Sequence, residues 1–250
     1  MSLTILSLFV YAVLLVPIVV IVLTSLTPRP FPTLPREGIS LQWYVTLLND
    51  PEILNALSTS IFVATISSIL SGLLGTITAF GFVRTEFPYK EQISTLMLLP
   101  LMISPVITGL ALIQYASELG ISSGYVPVVL GHTILTLPYV FLIVRAELVS
   151  FDTTLEAASQ VLGAGPAESI LNVTLPIISP AVFSAILISF VVSFGEFTAT
   201  QFLVSPGTTT VPVIIYTMTR SGLSPVISAL STVLIVVMLI VAVLATVLER

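Results

Sequence analysis

Long apolar runs alternate with polar breaks along this chain. Six runs, at about 3–26, 54–83, 93–116, 126–147, 177–204 and 225–248, carry almost no charge. A helix needs about 20 apolar residues to cross ~30 Å of hydrocarbon, and each run is that long. Strands of a barrel would alternate apolar and polar residues, and these runs do not. Lipid offers the backbone no hydrogen-bond partner, so the runs are read as helices. The pattern predicts an all-α, polytopic membrane protein with six transmembrane helices, forming one membrane domain over residues 1–250. The first run lacks the basic start and small-residue cleavage site of a signal peptide and is read as a retained anchor.

Within the spans, Ser67, Ser71, Gly75 and Ala79 recur at spacing four, with Ser68 and Gly72 offset by one. Such a stripe lets helices approach closely, and packing within the bundle is its expected use. Pro100 and Pro105 predict kinks in span three, and Pro138 one in span four. Between spans one and two, residues 41–48 (LQWYVTLL) read as a short amphipathic helix with Trp43 and Tyr44 at headgroup level. Residues 211–218 are too short to span and are expected to re-enter the membrane or cap a cavity.

Composition narrows the chemistry. The 250 residues are 56% hydrophobic and 8% charged, where soluble domains carry about a quarter charged residues. A net charge of −5 gives no nucleic-acid footprint. There is no cysteine, and His132 is the only histidine, so neither a disulfide framework nor a metal centre is expected. The single lysine, Lys90, follows Phe87-Pro88-Tyr89, which excludes a Gly-rich phosphate loop ending in Gly-Lys. ATP must therefore be handled elsewhere, and neither a cofactor nor a catalytic residue is expected. With both termini inside, Arg84, Lys90, Arg145 and Arg250 face the cytosol, and Arg29, Arg36 and Arg220 face out. Four against three is a small positive-inside bias. Arg145 and Glu147 are expected to snorkel to the interface.

One break differs from the others. Residues 148–176 read LVSFDTTLEAASQVLGAGPAESILNVTLP. Thr153 or Thr154 is expected to cap a helix over 155–162, with Glu156 in its first turn. Gly163 interrupts it, and Gly165-Pro166 restarts a second helix running to about residue 173. Loops have a median length near 4–6 residues, so a stretch this long with helical signals is expected to dock something. Leu155, Val161 and Leu162 would offer an apolar face while Glu156 and Gln160 stay wet.

This stretch resembles the cytosolic loop of ABC-importer permeases, the membrane subunits of binding-protein-dependent uptake systems. Aligned on Gly163, the residues that carry the resemblance are Leu155, Glu156, Ala158, Leu162, Gly163, Ala164, Pro166, Val173, Thr174, Leu175 and Pro176. The chain departs from the pattern where its glutamate falls on Ala157, its second alanine on Ser159 and a frequent basic residue on Gln160. The segments around Ile39 to Tyr44, Gly131 to Tyr139 and Ser193 to Arg220 look like the same family. The resemblance implies a cytosolic bent coupling helix that docks into a groove on an ATPase subunit. It also implies a second permease subunit that is a different chain, two cytosolic ATP-binding subunits and an extracytoplasmic substrate-binding protein. The cell (inner) membrane is the implied location.

Glu196, in span five, is the outstanding buried acid of the sequence. A charge at membrane depth costs about 2.5–3.5 kcal/mol or more, so it is a functional candidate. Either it attracts a cationic substrate, with Thr198, Thr200 and Gln201 adding hydrogen bonds, or it is a polar contact at the partner permease. His132 and Tyr139, seven apart, share one face of span four and either line the pathway with Gln114 and Tyr115 or hold neighbouring helices. Residues 202–232 look most like the second permease of spermidine/putrescine importers, which implies a polyamine substrate. Permeases for ferric iron, thiamine, phosphonates and oxyanions belong to the same broad group. A secondary transporter or channel is the reading from another class, but no inverted repeat is apparent and Glu196 is the one clear buried acid. An intramembrane enzyme would need paired acids or a Ser/His pair, and neither is convincingly placed.

Overall fold

The computed structural model describes residues 3–248, and among them all regular structure is helical. Arg250, counted above on the inner side, lies outside the described residues. In chain order the helices are α1 (Leu3–Ser25), α2 (Gln42–Asn49), α3 (Pro51–Arg84), α4 (Lys90–Met102), α5 (Pro105–Glu118), α6 (Tyr125–Ser150), α7 (Thr154–Val161) and α8 (Pro166–Ser169). A π segment (Ile170–Thr174) leads into α9 (Leu175–Phe194), followed by α10 (Thr200–Leu203), α11 (Val211–Ser221) and α12 (Pro225–Leu248). Among the described residues five helices are long and apolar enough to span a membrane, and α4 with α5 makes a sixth if the bent pair counts as one.

Span three is not a single kinked helix. It is broken, with α4 and α5 meeting at 102°. The break falls at Ser104, whose ψ of 132° is extended. The residue before a proline is pushed out of the α region, and Pro105 then starts the next helix where its missing N–H costs nothing. Pro100 lies within α4 and Pro138 within α6, neither of which is interrupted. Span five also differs from expectation. Its helix stops at Phe194, with Gly195 as its cap, so residues 195–199 are non-helical. At its other end it does not start afresh after Pro176. α8, the π segment and α9 form one unbroken run of 29 residues, Pro166–Phe194.

The contacts divide the structure into two compact units. The first takes the chain up to Ser60 together with Thr209–Leu239. In it, Leu47, Ile53, Ala56, Val211, Ile214, Ala229 and Leu230 are buried together. Trp43 and Tyr44 are half-buried and pin α2 to the end of α1. The indole Nε1 donates to the Thr27 carbonyl at 2.6 Å, and the Tyr44 hydroxyl lies 2.7 Å from Ser25 Oγ. α11 begins where the Val211 N–H donates to Ser60 Oγ at 2.8 Å.

The second unit takes Ile61–Thr208 and the chain from Ile240. α6 is its hub: Val140, Phe141, Val144 and Leu148 are buried against Ala79, Phe82, Ile178 and Ala185. The small-residue stripe of α3 explains the close approach. A Cβ on Gly75 would lie 2.8 Å from the Val140 side chain, and one on Gly72 would lie 2.6 Å from Ile186. Hydroxyls complete this seam, with Ser71 Oγ 2.8 Å from Ser189 Oγ and Thr136 Oγ1 donating to Ser71 Oγ at 3.1 Å. Buried hydroxyls joined across helices satisfy groups that lipid cannot. Arg145 donates to Ser94 Oγ on α4 at 2.8 Å and lies over the Phe141 ring.

Candidate functional site

Two polar features stand out in the second unit: the bent segment after α6, and the helix break after α9.

The bent segment opens at Asp152. Its carboxylate accepts the Thr154 N–H at 2.9 Å and the Thr154 hydroxyl at 2.7 Å. These bonds favour the charged form and hold the Asp152 carboxyl below its ordinary value. Asp152 therefore does the capping expected of Thr153 or Thr154, because its carboxylate closes an Asx turn on the N–H two residues on. After its eight residues α7 ends in a Schellman motif. The Gly163 N–H bonds to the Gln160 carbonyl at 3.0 Å and the Ala164 N–H to the Ser159 carbonyl at 3.1 Å. Gly163 has φ +102° and needs to be glycine for that reason alone, since a Cβ there would meet nothing within 4 Å. The chain then turns into α8 with Pro166 in its first turn.

The two arms of the bend are tied together. Ser159 Oγ donates to Ser169 Oγ at 2.6 Å. Ser159 and Glu156, three apart, form the inner edge of α7. Glu156 does not stay wet. Its side chain is 14% exposed, with Oε1 2.6 Å from Arg84 Nη2, and it also accepts a short hydrogen bond from the Thr174 hydroxyl. The apolar side chains of this segment are bare: Leu155 is exposed, Val161 is 87% exposed and Leu162 89%. Ala157, Ala158, Gln160 and Pro166 are exposed as well, and Ala164 is half-buried. Two adjacent apolar side chains thus stand almost wholly outside the fold.

At the second feature, Glu196 is half-buried beyond the end of α9 and not inside a helix. Its Oε1 accepts the Ala199 N–H at 2.7 Å, so the carboxylate caps the turn into α10. Thr200 is buried, and its hydroxyl donates to the Glu196 carbonyl at 2.9 Å. That leaves Thr200 Oγ1 to accept from His132 Nε2, 2.8 Å away. His132 Nδ1 is then the acceptor for the Ser193 hydroxyl at 2.7 Å. The imidazole thus bridges the end of α9 to α10, with both nitrogens occupied. Gly109 of α5 presses against the same turn, where a Cβ would come within 2.8 Å of the Ala199 carbonyl oxygen. Thr198 is half-buried, and its carbonyl accepts from Gln201 Nε2 at 3.2 Å. Gln114 lies exposed on α5 and Tyr139 half-buried on α6, outside this chain of hydrogen bonds.

Sequence reasoning missed Arg84, Asp152, Ser169, Ser193 and Gly109. An Asx-turn signal, Asp two residues before a Thr, was available for Asp152. The others act across long separations and leave no local mark.

Residues 71–250 match the family model described as binding-protein-dependent transport system inner membrane component. The spermidine/putrescine transport system permease protein PotC of Escherichia coli (strain K12) is 28% identical over 241 residues, covering 96% of this chain and 91% of the relative. The putrescine transport system permease protein PotI of the same strain is 30% identical over 234 residues, covering 91% and 82%. Among solved structures, a bacterial ABC transporter involved in the import of the acidic polysaccharide alginate superposes with a TM-score of 0.78 at 17% identity, covering 99% of this chain and 93% of that one. At that identity the likeness carries the fold alone.

Proposed function

The chain belongs to the family of binding-protein-dependent transport system inner membrane components, and from that premise we propose how it couples to ATP and what it carries. It is a membrane-spanning permease subunit of an ABC importer, and ATP hydrolysis belongs to a separate subunit.

The segment α7–Gly163–α8 is the part that docks into the ATPase. The observation that carries this reading is the bare pair Val161 and Leu162, held out at the end of a helix whose inner edge is bonded to the spans. A helix of eight residues is marginal alone, so docking adds to what Asp152 and Gly163 already impose. Two ATPase copies, a second permease subunit and an extracytoplasmic binding protein complete the assembly, with both termini cytosolic. The chain has no cysteine, so Leu162→Cys gives a single reactive thiol. In membranes holding the co-expressed transporter, that thiol should crosslink to the ATPase, and Leu162→Asp should abolish ATPase co-purification. Normal co-purification of the aspartate variant would refute the docking.

The substrate is a polyamine. Similarity to PotC over nearly the whole chain supports this, and the half-buried Glu196 suits a cation. Spermidine or putrescine with the cognate binding protein should stimulate ATP hydrolysis in reconstituted vesicles. Stimulation by ferric iron, thiamine, a phosphonate or an oxyanion instead would keep the importer and discard polyamines.

A further inference from the structure

We propose that Glu156 acts inward, as the strut that joins the coupling segment to α3, and that Arg84 and Thr174 are its partners in transmitting ATPase motion to the spans. This rests on the docking reading above and adds to it a route for force.

Backbone continuity links α7 to only two spans. It follows α6 through Phe151 and Asp152, and it precedes α9 through α8 and the π segment. α3 is 70 residues upstream and has no such link. Its last residue, Arg84, reaches α7 through the Glu156 carboxylate at 2.6 Å. The pair is mostly withdrawn from solvent, with side chains 22% and 14% exposed. Water and salt therefore screen it less than a surface pair.

Two further contacts and a π turn make the joint stiff. The Thr174 hydroxyl bonds to the same Oε1 that Arg84 holds, so one carboxylate oxygen gathers α3, α7 and the π segment. Thr174 is fully buried and cannot swing away. The guanidinium also lies 5.6 Å from the Phe151 ring centroid, a cation–π contact at the end of α6. The π segment adds one residue per turn at this point, where the Leu175 N–H reaches back to the Ile170 carbonyl. Such bulges recur at functional places in helices because they reset which face a residue presents. Here the residue presented is Thr174. A push on Val161 and Leu162 thus reaches α3, α6 and α9 together. Without the strut it would reach α3 only by way of packing.

The position of the acid fits this role. The family pattern resembled above puts its glutamate at Ala157, which is exposed. Glu156, one residue earlier, lies about 100° around the helix, on the inner edge with Ser159.

The test uses the full transporter, reconstituted with its ATPase, partner permease and binding protein. The variants are Glu156→Gln, Arg84→Gln and the exchange Arg84→Glu with Glu156→Arg. Each single variant should retain ATPase co-purification and basal ATP hydrolysis. Uptake per ATP hydrolysed should fall within the roughly 2- to 30-fold range typical of coupling residues, and the exchange should restore most of it. Glu156→Gln removes the charge but keeps an acceptor for Thr174 and nearly the same shape, so it remains informative if the other variants fail to fold. Unchanged uptake per ATP in that variant overturns the strut. Loss of ATPase binding in the single variants, unrestored by the exchange, also overturns it and makes Glu156 a partner contact. Failure of the docking reading shows separately, as normal ATPase co-purification by Leu162→Asp.

Discussion

Replacing Gly163 with valine isolates the bend as a cause. The φ of +102° lies in the region that L residues rarely adopt, yet a Cβ would meet nothing within 4 Å. The cost therefore comes from the residue's own backbone and not from its neighbours. Such strained positions cost about 1–3 kcal/mol, and a β-branched residue belongs at the upper end. That cost lowers the population of the bent form by about 5- to 150-fold. Straightening would break the Schellman bonds from Gly163 and Ala164 and re-aim Leu162. Affinity for the ATPase, titrated in detergent, should fall by that factor, and substrate uptake in vesicles should be lost at working ATPase concentration. Thermal stability of the membrane part should barely move, since Gly163 is exposed and packs on nothing. Asparagine tolerates positive φ, so Gly163→Asn should lose least, with alanine between asparagine and valine. A valine variant with wild-type ATPase affinity and uptake would refute the reasoning, as would an asparagine variant worse than valine.

Three other outcomes follow from the same geometry. Glu196→Gln keeps an acceptor for the Ala199 N–H and should melt like wild type while losing uptake of a cation; Glu196→Ala should also lose about 1 kcal/mol of stability, seen as a lower melting temperature. Gly109→Ala places a Cβ against the Ala199 backbone, which cannot yield as a side-chain tip would, so a loss of about 1–3 kcal/mol is expected in thermal unfolding, and an unchanged melting temperature would contradict the contact. The Asp152 carboxyl is held below its ordinary value, so its cap contributes above the unfolded value of about 3.9 and is lost as pH falls through the lower folded value. Pepsin cleavage beside Leu155, taken as the ratio of wild type to Asp152→Asn at each pH so that the protease's own titration cancels, should accordingly rise on acidification, since asparagine caps without titrating.

Much of the fold was legible because it depends on local composition. The apolar run at 126–147 lies within α6 (Tyr125–Ser150), and that at 54–83 within α3 (Pro51–Arg84). The bend was legible as well: Gly163, Gly165 and Pro166 each carry a backbone constraint in their own chemistry. Less legible was which proline would break a helix. Pro100, Pro105 and Pro138 look alike in sequence, but only Pro105 coincides with a helix start, where Ser104 is free to turn extended. The end of span five was misplaced because residues 195–204 are apolar enough to continue a helix. The hydrogen bonds of Glu196, His132 and Thr200 instead turn residues 195–199 out of the helix before α10 begins.

The sequence by itself determined that this chain crosses a membrane as helices, that it cannot bind ATP through a Gly-Lys phosphate loop, and that a bent polar segment interrupts its spans. Each of these follows from the identity of neighbouring residues. The tertiary structure alone decided which way Glu156 faces, what His132 holds and why Gly109 is small. Those answers depend on groups 72, 61 and 90 residues away in the chain, Arg84, Ser193 and Ala199. A side chain's own chemistry states which partners it can take, but only the packing of helices brings one of them within reach.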